Sequence, residues 1–296
     1  MRPLKLIILV LLFAGFLVTA FFISLAISLF KLPRWRITSG LMSRFNRILR
    51  IFLNVKIDLE GARDSLGTGG HFIVSNHLGY LDGIVLGSLF PVIFVTKRPV
   101  KRWPVIGQLL TLLGTIFVDR ENKQDILRVV GRISGTLRQG ANVLMFPEGT
   151  STNGERLLPF QSAFFAAPLT ARATVAPVTI TYRFIDREPL SAANRDRVYW
   201  YGDMSFAPHL WALLGTNRIE VSVKIRSRIE TALLHNSSQG RKELSQACYD
   251  AIARGLSAQT EKSPKERGYS RELSVVNRSE KKLPSQALTS SSKYTA

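Results

Sequence analysis

Cysteine is nearly absent. Cys248 is the one thiol in 296 residues, so no internal disulfide can form, and no cluster of thiolates exists to hold zinc or an iron–sulfur centre. Taken alone, that residue reads as a small packed hydrophobe rather than a nucleophile. Acids are also scarce: 21 Asp and Glu stand against 40 Lys and Arg, for a net charge of +19, and none occurs before Asp58. Such a chain prefers anionic surroundings, a description that fits both nucleic acid and anionic lipid. Only four histidines are present, and none lies in a helical H-E-x-x-H pattern, so a zinc hydrolase is not indicated; nor is there a G-x-S-x-G elbow for a serine hydrolase. What is abundant is apolar: hydrophobic residues make up 46% of the chain. That is enough for a sizeable core and excludes both global disorder and a collagen-like fibre.

The first thirty residues favour lipid over nucleic acid. From Leu6 to Phe30 the run LIILVLLFAGFLVTAFFISLAISLF carries no charge, and as a helix it would reach roughly 37 Å. A cleaved signal peptide would have a shorter apolar region and a small-residue cleavage site, so 1–30 is expected to be a retained transmembrane anchor. Arg2 and Lys5 precede it, and Lys31, Arg34, Arg36, Arg44, Arg47, Arg50 and Lys56 follow. By the positive-inside rule the body then faces the cytoplasm, which predicts an inner (plasma) membrane protein. In 31–56, Leu41, Phe45, Ile48, Leu49 and Phe52 share one helical stripe away from the arginines. This is the pattern of a basic interfacial helix with anionic membrane lipids as partner, and also of an ordinary amphipathic helix packed on a core.

Beyond it, the pattern alternates. A Gly-rich turn at Gly67, Gly69 and Gly70 leads into the strand HFIVS and then a helix from Tyr80; Leu112 to Asp119 is another short apolar run; Gln124 to Arg138 has helical spacing and is stopped by Gly140. Asn142 to Phe146 reads as a strand, Phe160 to Ala167 as a helix, and Val175 to Tyr182 and Glu220 to Ile225 as strands. Short apolar runs alternating with amphipathic helices predict a single α/β domain over 57–257, a mixed central sheet flanked by helices and preceded by the membrane and amphipathic helices. Residues 258–296, rich in Ser, Lys and Glu, read as a disordered tail.

Three strand ends carry chemistry. Asn76-His77 puts an imidazole at the C-terminal lip of a strand, where α/β proteins build their sites. Asp82 follows five residues later, about 140° away on a continuous helix, so the two can meet only if the chain bends, as Gly79 allows. An Asp on one ring nitrogen fixes the tautomer and leaves the other to take a proton, which makes the pair a general base. Phe146-Pro147-Glu148-Gly149-Thr150 closes a second strand, with Gly149 permitting close backbone approach. GTIFVDR at 114–120 ends in Arg120, a fork suited to phosphate or, failing that, a surface ion pair with Asp119 or Glu121.

Together these blocks resemble the glycerolipid acyltransferase family that includes the 1-acylglycerol-3-phosphate acyltransferases: NHLGYLD at 76–82, GTIFVDR at 114–120, FPEGT at 146–150 and APVTI at 176–180 match its four motifs in order. The resemblance spans roughly residues 70 to 230. It implies that His77 is the base and Asp82 its orienting partner. It further implies that Asn76, Arg120, Glu148, Gly149 and Thr150 serve acceptor binding, that Pro177 shapes the acyl-donor site, and that neither metal nor cofactor is needed, acyl-CoA or acyl carrier protein being the thioester co-substrate. The implied activity is membrane-bound O-acyl transfer to a lysophospholipid acceptor, 1-acyl-sn-glycerol-3-phosphate first among them, with nucleic acid no longer expected. Two departures weaken a dianionic acceptor: Ser151 stands where the family often has Arg, and Gln161 where it often has Lys. The segment YGDMSFAPHLW at 201–211 is also similar to a bacterial subset that includes lyso-ornithine lipid acyltransferases, the alternative acceptor class. A non-enzymatic basic membrane adaptor would satisfy the charge and the anchor but not the motifs.

Overall fold

Eight strands and the helices packed on their two faces share the buried apolar side chains, and the strand order explains the site. The computed structural model describes residues 2–61, 69–232 and 234–260; Gly67 and residues 261–296 lie outside the described residues. The strands are β1 (Val55–Glu60), β2 (Phe72–Ser75), β3 (Val92–Lys97), β4 (Ile116–Val118), β5 (Asn142–Met145), β6 (Val175–Ile185), β7 (Glu188–Pro189) and β8 (Ile219–Ile225). They form one sheet in the order β1-β8-β6-β2-β5-β3-β4, with β7 hairpinned onto β6. The sheet is mixed: β6 runs antiparallel to β8, while β6, β2, β5, β3 and β4 are mutually parallel along their ladders. Runs such as FIVS and NVLM are buried at every position, as interior parallel strands covered on both faces must be.

Strand alternation sorts the core into two layers. On one face Ile73, Leu144, Val178, Ile180 and Tyr182 pack with residues of α1 (Arg2–Phe30), α2 (Arg34–Phe52), α3 (Tyr80–Leu89), α4 (Ile106–Leu112) and α7 (Phe206–Leu214). On the other, Phe72, Val74, Val143 and Met145 pack with α5 (Lys123–Arg138), α6 (Ala166–Ala171) and α8 (Ser238–Thr260). Cys248 is buried in this second layer, and burial pushes its thiol above the usual range. α5 begins at an N-cap in which the Asn122 side chain accepts from Gln124 N and Asp125 N at 2.9 and 3.2 Å, a standard use of Asn.

The expected strands and helices recur with small shifts. The helix expected over 160–167 is a 3₁₀ turn (Ser162–Phe165) running into α6. The 112–119 run is divided, Leu112 ending α4 and Ile116–Val118 forming β4. The body begins earlier than 57, because β1 opens at Val55 to pair with β8, and helix α8 continues to Thr260 rather than stopping at 257. Met1–Leu256 is one compact unit, so α1 and α2 fold with the α/β body.

α1 is 29 residues long and contains an 18-residue stretch with a mean hydropathy of 3.0, long and apolar enough to cross a bilayer. One of its faces is laid on the body: Leu9, Phe16, Ala20 and Ile27 are buried, Phe16 stacks on Phe45 with ring centroids 3.8 Å apart, and Lys5 Nζ donates to Thr216 O at 2.8 Å. Its other face exposes Leu4, Leu11, Phe22, Leu29 and Phe30. In α2 the inward side chains are Met42, Phe45 and Leu49 with Thr38, Ser39, Ser43 and Asn46, whereas Arg44, Arg47, Ile48 and Ile51 face outward. Phe45, held by both Phe16 and Phe13, is the pin between these helices. Replacing it by Ala is expected to cost about 3–4 kcal/mol and to lower the unfolding midpoint of the detergent-solubilised protein, as read by circular dichroism.

Candidate active site

Because β2, β5, β3 and β4 are parallel, their C-terminal ends share one edge of the sheet. Asn76-His77 leaves β2 there, Phe146-Pro147-Glu148-Gly149-Thr150 leaves β5, and Asp119-Arg120 leaves β4. Three blocks far apart in sequence thus converge because their strands point the same way.

The dyad is formed. His77 Nδ1 lies 2.9 Å from Asp82 Oδ2. The bend that makes this possible is the stretch Leu78-Gly79, which keeps α3 from starting before Tyr80. Oδ2 of Asp82 also accepts from Leu78 N at 2.6 Å and Gly79 N at 2.9 Å, so the side chain caps its own helix start. Two of those donors are backbone N–H groups, which can only donate, and a carboxylate can only accept; the ring proton of His77 therefore belongs on Nδ1, leaving the Nε2 lone pair free. Among the described residues no group hydrogen-bonds Nε2. Gly79 is required by a close approach: a Cβ there would sit 2.8 Å from Trp200 N.

His77 is held on every other side. Its ring stacks on Phe146 with centroids 4.0 Å apart and planes 13° from parallel. Its backbone N–H donates to Glu148 Oε1 at 2.7 Å, and its carbonyl accepts from Thr152 N at 3.0 Å. The imidazole keeps 22% of its side-chain surface exposed, against 1% for Asp82.

The remaining residues implied by the family resemblance fall into two sets. Arg120 and Gly149 come together. Arg120 is half-buried, and no ion pair or hydrogen bond to it occurs among the described residues, with Nε fully buried and unpartnered; burial lowers its guanidinium pKa. The alternative ion pair is not formed, since Asp119 instead faces Arg98 at 3.6 Å. Gly149 has φ +84° and fits between Arg120 and the Gln161 amide, so a Cβ would lie 2.9 Å from Arg120 Nη1 and closer still to Gln161. By contrast, Glu148 and Asn76 spend their polar atoms on backbone. Glu148 is 6% exposed and accepts Leu158 N at 2.9 Å as well as His77 N, tying the β2 and β5 loops together. Asn76 exchanges two 2.9 Å hydrogen bonds with Ile180 N and O, stitching the end of β2 to β6. Thr150 is exposed at the rim, and Pro177 is buried in the sheet beside Val74. Ser151, in the position that often carries Arg in the family, gives its hydroxyl to Trp200 O at 2.6 Å.

One contributor carried no sequence signal. Tyr182 OH donates to Asp82 Oδ1 at 2.9 Å, across 100 positions of chain and with nothing in β6 to set it apart from a core residue.

A parallel-edge site with a hydrogen-bonded His–Asp pair defines a class: an α/β protein that presents a partly exposed imidazole at the C-terminal end of a strand. Comparison with known proteins narrows it. The acyltransferase family model matches residues 56–181. The lyso-ornithine lipid O-acyltransferase of Rhizobium meliloti (strain 1021) is 30% identical over 77% of this chain and 76% of its own. The 1-acyl-sn-glycerol-3-phosphate acyltransferase of Neisseria gonorrhoeae is 30% identical over 52% of this chain and 58% of its own. In fold, the chain resembles the crystal structure of PlsC, the 1-acyl-sn-glycerophosphate acyltransferase of Thermotoga maritima, with a TM-score of 0.58 at 16% identity, covering 89% of this chain and 99% of that one. The chain belongs to the lysophospholipid and glycerolipid acyltransferase family.

Two outcomes follow from this geometry. Gly149→Ala forces a side chain into the left-handed region and against Arg120; kcat/KM should fall about 10- to 100-fold in a steady-state acyl-transfer assay. Burial, partly offset by the two backbone N–H donors, pushes the Glu148 carboxyl up to about 7 from 4.5. A group raised on folding stabilises the protein most below its unfolded value and loses that contribution as pH rises through the folded one. Between pH 5 and 8 the wild type should therefore lose stability relative to Glu148→Gln, by up to about 3 kcal/mol, read as converging or crossing thermal midpoints.

Proposed function

We propose that this protein moves a fatty acyl chain from a thioester donor, acyl-CoA or acyl carrier protein, to the free hydroxyl of a lysolipid at the cytoplasmic face of the membrane. The observation that carries the reading is the dyad: Nδ1 committed to Asp82 at 2.9 Å and Nε2 unoccupied in a partly exposed ring. Nε2 takes the proton as the acceptor hydroxyl attacks the thioester carbonyl; the C–S bond breaks, and the departing thiolate takes the proton back from the imidazolium. No acyl-enzyme is needed, and among the described residues no serine or cysteine side chain is hydrogen-bonded to the His77 ring. The transfer balances without metal or redox cofactor.

The acceptor head belongs beside Arg120, the uncommitted guanidinium next to Gly149. A planar fork with one neutral amide, Gln161, beside it suits a carboxylate. The missing cations at 151 and 161 favour a head of low net charge. An ornithine head, with one carboxylate and one ammonium, meets this description, so lyso-ornithine lipid is the first acceptor. A relative of that name, from Rhizobium meliloti (strain 1021), aligns over 77% of this chain and 76% of its own. 1-acyl-sn-glycerol-3-phosphate is the second reading: Arg156, exposed and without a partner among the described residues, comes five positions after Ser151 and would be the candidate second cation for a phosphate.

The membrane role rests on α1. Its outer apolar face belongs in hydrocarbon while its inner face stays on the body, which brings the sheet to the lipid surface where acceptor and product both reside. Confinement there raises the effective acceptor concentration.

His77→Ala should abolish incorporation of labelled acyl chain into diacyl product while membrane association persists; retained incorporation would sink the mechanism. Offered lyso-ornithine lipid, lysophosphatidate and a zwitterionic lysophospholipid with one donor, the purified enzyme should turn over lyso-ornithine lipid fastest. A faster rate with lysophosphatidate would instead establish the second reading.

A further inference from the structure

Of the largest almost completely buried side chains among the described residues, Tyr182 alone carries a polar atom; the rest are Phe, Leu and Ile. A phenylalanine would fill the same volume, and a hydroxyl taken out of water costs free energy unless it is hydrogen-bonded. Its partner is the one carboxylate oxygen of the dyad that His77 does not use: Tyr182 OH to Asp82 Oδ1 is 2.9 Å. The two oxygens of Asp82 are thus divided. Oδ2 accepts from His77 Nδ1, Leu78 N and Gly79 N, and Oδ1 accepts from the phenol.

Tyr182 is itself rigidly placed. It lies on the face of β6 shared by Val178 and Ile180, in register with Val221 of β8, and its ring meets Tyr199 edge-on at 5.6 Å. Immediately after it the β6–β8 ladder slips by one residue, with Tyr182 opposite Val221 but Phe184 opposite Glu220. A bulge at Arg183 is a device that locally sets the direction of neighbouring side chains and is common beside active sites.

We propose that Tyr182 is a positioning residue of the acyl-transfer site: its hydroxyl fixes the rotation of the Asp82 carboxylate, so that Oδ2 stays aligned with His77 Nδ1 and Nε2 stays aimed at the acceptor hydroxyl. The proposal rests on the dyad reading above. Tyr182 is 2% exposed and so does not touch substrate; its effect passes through Asp82 alone. Removing the hydroxyl leaves Oδ1 buried without its donor and frees the carboxylate to turn about its last torsion, a soft two-fold rotation.

The test is a double-mutant cycle on the full-length enzyme in detergent micelles or vesicles. Tyr182→Phe should lower kcat on the order of tenfold, as for loss of one hydrogen bond to a charged group, with KM for acceptor and donor unchanged. In an Asp82→Ala background the same change should have no further effect on kcat, because there is no carboxylate left to orient. Thermal midpoints of all four proteins accompany the rates. A kcat for Tyr182→Phe equal to wild type would overturn the proposal. So would equal losses in both backgrounds, which would mark a purely structural tyrosine. Full activity in Asp82→Ala itself would instead remove the dyad reading, so the two failures are distinguishable.

Discussion

The carboxylate of Asp82 is the point on which this structure turns. It is buried, and a buried carboxylate survives only where hydrogen bonds replace the water it has lost. Here four donors do so: two backbone N–H groups of the Leu78-Gly79 bend, the imidazole of His77 and the phenol of Tyr182. Each fixes something different. The backbone donors start α3 and force the chain to turn back, the imidazole is locked into one tautomer, and the phenol joins the helix to β6. Without the carboxylate the bend would have no internal partner, and the histidine would have neither a fixed ring plane nor a fixed proton.

The same residue connects the His–Asp pair to the layer that holds the apolar helix α1. Leu81, next to Asp82, and Tyr182 belong to the core cluster that also contains Phe16 of α1 and Phe45 of α2. The apolar helix is therefore packed into the layer that supports the acid of the dyad, rather than trailing from it by a linker. Under the proposed function, an element that meets lipid and an element that aims the base would be parts of one packed body.

Around the dyad, the polar residues of the four motifs divide by what their atoms are already doing. Arg120 has nothing to bind within the described residues, and a buried donor left unpaired in a folded protein calls for an explanation such as a ligand. Glu148 and Asn76 are fully engaged by backbone, one joining the β2 and β5 loops and the other joining β2 to β6. Their side chains hold the frame in which Arg120 and His77 are presented. Ser151, likewise engaged with Trp200 O, leaves Gln161 as the amide nearest the guanidinium.

Much of this was legible in the chain itself. The apolar run from Leu6 to Phe30, the short buried strands, the helix at 124–138 stopped by Gly140 and the strand-end placement of His77, Arg120 and Glu148 all follow from local composition and periodicity, because burial and backbone pairing impose a period of 2 or 3.6 on any sequence that satisfies them. Even the need for a bend between His77 and Asp82 could be deduced from helix geometry. Other features were decided only in three dimensions. β1, read as part of a basic helix and its border, is a strand because β8 offers it an edge 164 positions away in register, Val55 beside Ile219. Asn76 and Glu148 look like binding residues until their backbone partners are seen. Tyr182 is indistinguishable from any core aromatic until the folded sheet brings its hydroxyl to Asp82. Periodicity records which side of an element faces inward. It carries no information about which distant polar atom will be waiting there, and that pairing is fixed by strand order and register alone.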